Sequence, residues 1–156
     1  LSKGLIATLV GVVAIVVIVA GCGSSSDDGT TALTKAEFIS QADAICKKGD
    51  NEIQSEFETF EKENGLKEGE EPSKAQKVEV AETIVTPNIK GQSEELRALG
   101  VPSGDEDEIS AMLDALDEGV EEAEADPAVL FSAKTTPFRP ASKIAKEYGL
   151  TACGQE

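Results

Sequence analysis

Apolar residues recur at steps of three and four along most of this chain, and that spacing constrains the fold more than any other feature. Phe38, Ala42, Ile45, Cys46, Gly49, Ile53, Phe57 and Phe60 fall on one face of a helix running to about Lys62. Thr34 and Glu37 form a capping box at its start, with Leu33 and Phe38 in the staple positions. Asn64-Gly65 ends it, and the stretch KEGEEP reads as an acidic loop. Pro72-Ser73 opens a second helix with the stripe Val78, Ala81, Ile84, Val85, Ile89, Leu96 and Leu99. Pro87 lies inside that stripe. A proline lacks the N–H and crowds the carbonyl one turn back, so it must kink the helix or split it. The stripe keeps its phase on both sides, which favours one kinked helix. GVPSG then breaks the chain. Asp105 to Glu124 reads as a third helix with Ile109, Met112, Leu113, Leu116, Val120 and Ala123 at core spacing. Its acidic first turn suits the positive end of the helix dipole. Pro127 to Lys134 reads as a short helix carrying Val129, Leu130 and Phe131. Pro137 and Pro140 bound a turn, and Pro140 to Tyr148 forms the last helix, with Gly149 as its C-cap and Cys153 on a tail beyond it. No segment alternates with period two. The expected fold is all-α, an antiparallel bundle of about four helices with a kinked second helix and a short, broken last one.

Ahead of that domain lies a different kind of sequence. Lys3 precedes an apolar run from Gly4 to Ala20, and the run ends Val19-Ala20-Gly21-Cys22. This resembles the lipobox of bacterial lipoprotein precursors, where an aliphatic and two small residues precede the cysteine that takes lipid. The resemblance implies that residues 1–21 are a signal peptide and that Cys22 becomes the first, lipidated residue of the mature chain. The rival is an uncleaved anchor, but seventeen residues from Gly4 to Ala20 are at the lower limit for spanning a bilayer. Both readings put the rest of the chain on the same, extracytoplasmic side of the membrane. Residues 22–33 carry GSSSDDGTTA, which has nothing to bury and reads as a flexible tether spanning under ~20 Å. The helical domain is then 34–156.

Composition narrows the chemistry. The chain has 156 residues, no His, no Trp and a formal charge of −16. Without histidine there is no Ser-His-Asp or Cys-His nucleophile and no imidazole metal site. The acidic surface repels phosphate backbones and anionic headgroups, which argues against nucleic acid as a partner; it reads first as a solvated exterior that favours solubility, and it could attract cationic ligands or divalent ions. Three cysteines are an odd number. If Cys22 takes lipid, Cys46 and Cys153 remain, and outside the cytoplasm two such thiols are expected to pair.

The pieces KAEFISQADAIC, TPNIKGQSEELRALGVPSGDE and PFRPASKIAKEYGLTACG resemble a group of small exported proteins and lipoproteins of high-GC actinobacteria. Those proteins are similar to one another in an FxxxADxIC opening, a PNI…L..L.P..DE centre and a PF..A..LA..YGL..CG close. The resemblance covers nearly all of residues 33–154, in order and spacing, with Ile144 where the group has Leu. It implies a helical fold, an envelope location and a Cys46–Cys153 disulfide, but no chemistry.

Among residues that could recognise a ligand, Pro87 marks a kink that can open a cleft between helices, and Arg97, Arg139 and Tyr148 are the candidates for polar contacts. Asp105 to Glu108 is a contiguous acidic run at a helix start rather than the alternating pattern of a calcium loop. No carboxylate pair stands out for acid–base work. The expectation is a non-catalytic module without metal or cofactor, held at the membrane through lipid on Cys22. It would bind a protein or small-molecule partner that the sequence does not identify. The alternative is a receptor for a small ligand or cation near Pro87.

Overall fold

Thr34 starts the first helix as its sequence predicts. Its Oγ1 accepts from the Glu37 N–H at 3.3 Å, and the Glu37 carboxylate accepts from the Thr34 N–H at 2.9 Å. The computed structural model describes residues 33–67, 69–132 and 136–155. The lipobox residues Val19, Ala20, Gly21 and Cys22, and most of the tether, lie outside the described residues. Helix α1 spans Lys35–Glu63 and closes on Asn64, with Gly65 at a φ of +68°. A rod of 29 residues reaches across two apolar clusters. Phe38, Ala42 and Cys46 sit in the larger cluster, and Phe60 in the smaller, flanked by Ile53 and Phe57.

A second capping box, Ser73 with Gln76, opens α2, Lys74–Val80. A π turn, Ala81–Val85, joins it to α3, Thr86–Arg97, without a break. Pro87 explains the join. A regular turn would press its ring on the carbonyl of Thr83 and leave that carbonyl without a donor. The helix takes one extra residue into the preceding turn instead, and the Thr86 N–H reaches back five residues to the Ala81 carbonyl. The extra residue also rotates the stripe. Beyond the join, Thr86, Gln92 and Ser93 are buried with Leu96, while Ile89 and Leu99 are half-buried.

Helix α4, Glu106–Ala125, buries Ile109, Met112, Leu113, Gly119, Val120 and Ala123. The short helix expected after Pro127 is a 3-10 turn, Pro127–Phe131, started by the Asp126 carboxylate accepting from the Ala128 N–H at 3.2 Å. The last helix, α5, is Arg139–Tyr148 and ends on Gly149 at a φ of +110°. Leu150, 1 % exposed, then turns into the core.

Cross-helix pairs give the directions. Lys48 meets Glu95 and Glu52 meets Asn88, so α1 and α3 run antiparallel. Lys90 meets Glu124 and Arg97 meets Asp114, so α3 and α4 do too. Tyr148 meets Asp105 and Phe138 meets Gly119, so α4 and α5 do as well. The fold is therefore the expected all-α bundle of about four helices, with a joined second helix and a short last one. The Cys46–Cys153 disulfide closes it, with Cα atoms 5.2 Å apart and a separation of 107 in sequence.

Gly119 sets how closely the chain before α5 approaches α4. A Cβ there would lie 2.7 Å from a Phe138 ring carbon and 2.9 Å from the Pro137 carbonyl oxygen. Gly91, also helical, faces open space. Gly119→Ala is expected to destabilise the fold by about 1–3 kcal/mol through overpacking. Gly91→Ala is expected to stabilise it by up to about 1 kcal/mol through helix propensity. Urea unfolding of the two variants checks the contrast.

Candidate functional site

The larger cluster does not fill the bundle. Between α1, α3, α4, α5, the 3-10 turn and the C-terminal tail lies a cavity of about 300 Å³. Val85, Ile89, Met112, Leu116, Leu130 and Phe138 are among its apolar lining residues, and the Cys46–Cys153 disulfide forms part of one side. Polar groups are few: Asp50, Gln92, Thr136, Ser142 and Gln155. This composition, apolar walls with isolated polar groups, is that of a small-molecule site, and the volume is at the lower end of such sites.

Each wall has its own anchor. Gly49 lets α1 and α3 come close, since a Cβ there would collide with the Gln92 carboxamide. Gln92 Nε2 donates to Asn88 Oδ1 at 2.8 Å, which fixes the amide at the cavity. Phe138 is seated against Gly119. Phe131 is 42 % exposed on its outer side, where Lys77 Nζ stands 5.9 Å from the ring centroid.

The tail is tied twice to α1. The disulfide is one tie. The other is Asp43, whose carboxylate accepts from the N–H groups of Thr151, Ala152 and Cys153 at 3.0, 2.8 and 3.4 Å, and from the Thr151 hydroxyl at 2.7 Å. Partial burial pushes the Asp43 carboxyl up, but the four donated bonds together outweigh it and hold the group below the ordinary range.

Asp50 is the charged group of the cavity. It is exposed at the rim, and desolvation of its carboxyl against the apolar walls pushes its pKa up. Among the described residues no lysine or arginine pairs with it. Lys48, two residues earlier, is held by Glu95 at 3.1 Å and Glu52 at 3.9 Å.

The residues singled out in the sequence are dispersed rather than gathered. Pro87 is exposed and lines a separate cleft with Glu82, Thr86, Lys90, Ala123 and Glu124. Beside it Thr86 Oγ1 is buried and finds no hydrogen-bond partner among the described residues. Arg97 bridges α3 to Asp114 and Asp117 on α4, and Asp117 also accepts from the Ser93 hydroxyl at 2.6 Å. Arg139 lines a third cleft with Glu122, Pro137, Pro140 and Lys143. Tyr148 is buried, edge-on to Phe38 at 5.9 Å, with Lys35 Nζ over its ring and its hydroxyl donating to Asp105 at 2.6 Å. Burial, then the Asp105 carboxylate, pushes the Tyr148 phenol well up. Cys46 and Cys153 are the predicted residues that meet, and they do so at the cavity.

Asp43, Asp50 and Gln92 were not singled out. Asp43 stands within KAEFISQADAIC but carries no sequence signal for a tie to the tail. Asp50 is one of 30 carboxylate residues. Gln92 interrupts an apolar stripe and reads as solvent-facing until the π turn rotates it inward.

Among the described residues no three carboxylates or cysteines are grouped to hold a metal ion, and no helix is long and apolar enough to cross a membrane. The chain matches no family model, no curated protein and no solved structure.

Asp43 gives a pH-dependent prediction. Its folded pKa lies below the ordinary 3.8, so its contribution is present in full above that value and is lost as the pH falls through the folded pKa. Asp43→Asn is expected to lower stability by about 1–2 kcal/mol at pH 6. The gap to the unsubstituted protein should close as the pH drops below 3.8, as read by thermal unfolding across an acid series.

Proposed function

We propose that this chain is a membrane-anchored extracytoplasmic lipoprotein whose helical domain is a non-catalytic binding module for a small, largely apolar molecule. The observation that carries the binding role is the cavity of about 300 Å³, with walls from every helix except α2 and with isolated polar groups. It lies one turn from the residue that first suggested a cleft. Val85 and Ile89 flank Pro87 in sequence and line the cavity, while Pro87 lines another cleft. The receptor reading therefore moves from Pro87 to the space beside the disulfide. Arg97 and Tyr148 are engaged in helix-to-helix contacts, which supports a structural role for both.

The anchor and compartment are supported by the Val19-Ala20-Gly21-Cys22 motif and by the remaining two cysteines being joined. The acidic, histidine-free composition supports a module that holds its ligand rather than transforms it.

Two measurements check the two halves of this reading. Cys22→Ala is expected to abolish lipid labelling and release the protein from membranes; retention equal to the unsubstituted chain would favour the uncleaved anchor. For binding, Met112 is the chain's single methionine and lines the cavity. Its ¹³C-labelled ε-methyl resonance, in the full chain carried in nanodiscs, is expected to shift on addition of cyclohexylmethanol. Ser142→Phe, which projects a ring into the same space, should suppress that shift while the domain remains folded. An unmoved Met112 resonance with this alcohol and with its amine and carboxylate isosteres alike would dismiss the cavity as a binding site.

A further inference from the structure

Among the described residues Asp50 is the one charged side chain on the cavity wall, and its charge bears on what could enter. Asp50 lines an otherwise apolar space with no basic side chain paired to it among the described residues. Lys48, close by in sequence, is already committed to Glu95 and Glu52. Asp50 is exposed at the rim, so a neutral apolar ligand would remove part of its hydration and return nothing for it. An anion would be repelled. A cation at the rim would replace the lost water with a charge-assisted hydrogen bond. Gln92 lines the same cavity, with its Nε2 turned to Asn88 Oδ1 and its carboxamide against Gly49, which adjoins Asp50. The chain's charge of −16 also draws cations toward the surface from which they would enter.

We propose that the ligand is a small organic cation, a protonated amine whose apolar body fills the cavity and whose ammonium group sits against Asp50 at the rim. This rests on the cavity being a binding site, as proposed above, and adds the charge of what enters it.

The test uses three isosteric probes on the full chain in nanodiscs: cyclohexylmethylamine, cyclohexylmethanol and cyclohexanecarboxylate. Binding is read from the Met112 methyl resonance. Because Asp50 is partly solvated, the ammonium probe is expected to bind about three- to tenfold tighter than the alcohol, with the carboxylate weakest. Asp50→Asn and Asp50→Ser should bring ammonium and alcohol to within about twofold of each other while leaving alcohol binding intact. Glu63→Gln, an exposed carboxylate at the far end of α1, should leave the preference in place, which separates a site effect from the general acidity of the surface. Equal binding of ammonium and alcohol to the unsubstituted protein, or a preference that survives both Asp50 variants, would overturn the proposal while the cavity stayed a binding site. Binding of none of the three probes would remove the binding role itself and the proposal with it.

Discussion

The fold depends on what holds the last few residues against the first helix. Helix α5 has ten residues and buries only Ala141, Ala145 and Tyr148 on its own account. A helix that short is marginal alone. Its position is secured from beyond its end, where Leu150 enters the core and the tail is bound to α1 at Asp43 and Cys46. Those two anchors are three residues apart, hence on one face of α1, and grip three consecutive residues of the tail. The covalent tie closes a loop of over a hundred residues, which in the chain-entropy account removes about 4–5 kcal/mol of freedom from the unfolded state. The hydrogen-bonded tie sets the tail's path. Together they place Ala152, Cys153 and Gln155 as a wall of the cavity.

Pro87 governs the opposite wall. The π turn that accommodates it advances the helix by one residue, so α3 does not present the face that a regular period implies. Gln92 and Ser93 go inward, where Ser93 meets Asp117 and Gln92 meets Asn88 and the flat surface at Gly49. Ile89, which a regular stripe would place in the core, borders the cavity half-buried. One residue lacking an N–H thus decides which side chains of α3 face the cavity.

This explains what could be read from the sequence and what could not. Phe38, Ala42, Ile109, Met112 and Leu113 follow the helical period without interruption, and they form the core where the period places them. The capping boxes at Thr34 and Ser73 mark helix starts because their chemistry is local. The cysteine pair was legible because few partners existed for it. The cavity was not, because it is made of residues from α1, α3, α4, α5, the turns beside them and the tail, whose individual signals are ordinary. Leu116 and Ile89 look like core residues, Asp50 looks like a surface carboxylate, and Ala152 looks like a tail residue. Only their meeting has meaning, and that meeting depends on the π turn and the double tie of the tail, neither of which a periodic pattern encodes.

The cavity also has a reason to exist between two packed clusters. The inner face of α1 carries Cys46 toward one cluster and Ile53 toward the other, and between them it offers Gly49 and Asp50 rather than a large apolar residue. Across the space, α5 presents Ala141, Ser142 and Ala145, and the tail presents Ala152. Small side chains meet small side chains from three directions, where interiors ordinarily alternate large with small to reach close packing. A larger side chain at Ser142 would recover dispersion contacts that the present residue forgoes, whereas Gly49 has no such room beside Gln92. The void is therefore a property of which residues stand there, and not of any limit on how closely these helices can approach, since α1 and α3 are in near-contact at Gly49. A space bordered by small residues on several elements, with Asp50 at its rim and no lysine or arginine paired to it among the described residues, is the feature on which the proposed receptor role rests.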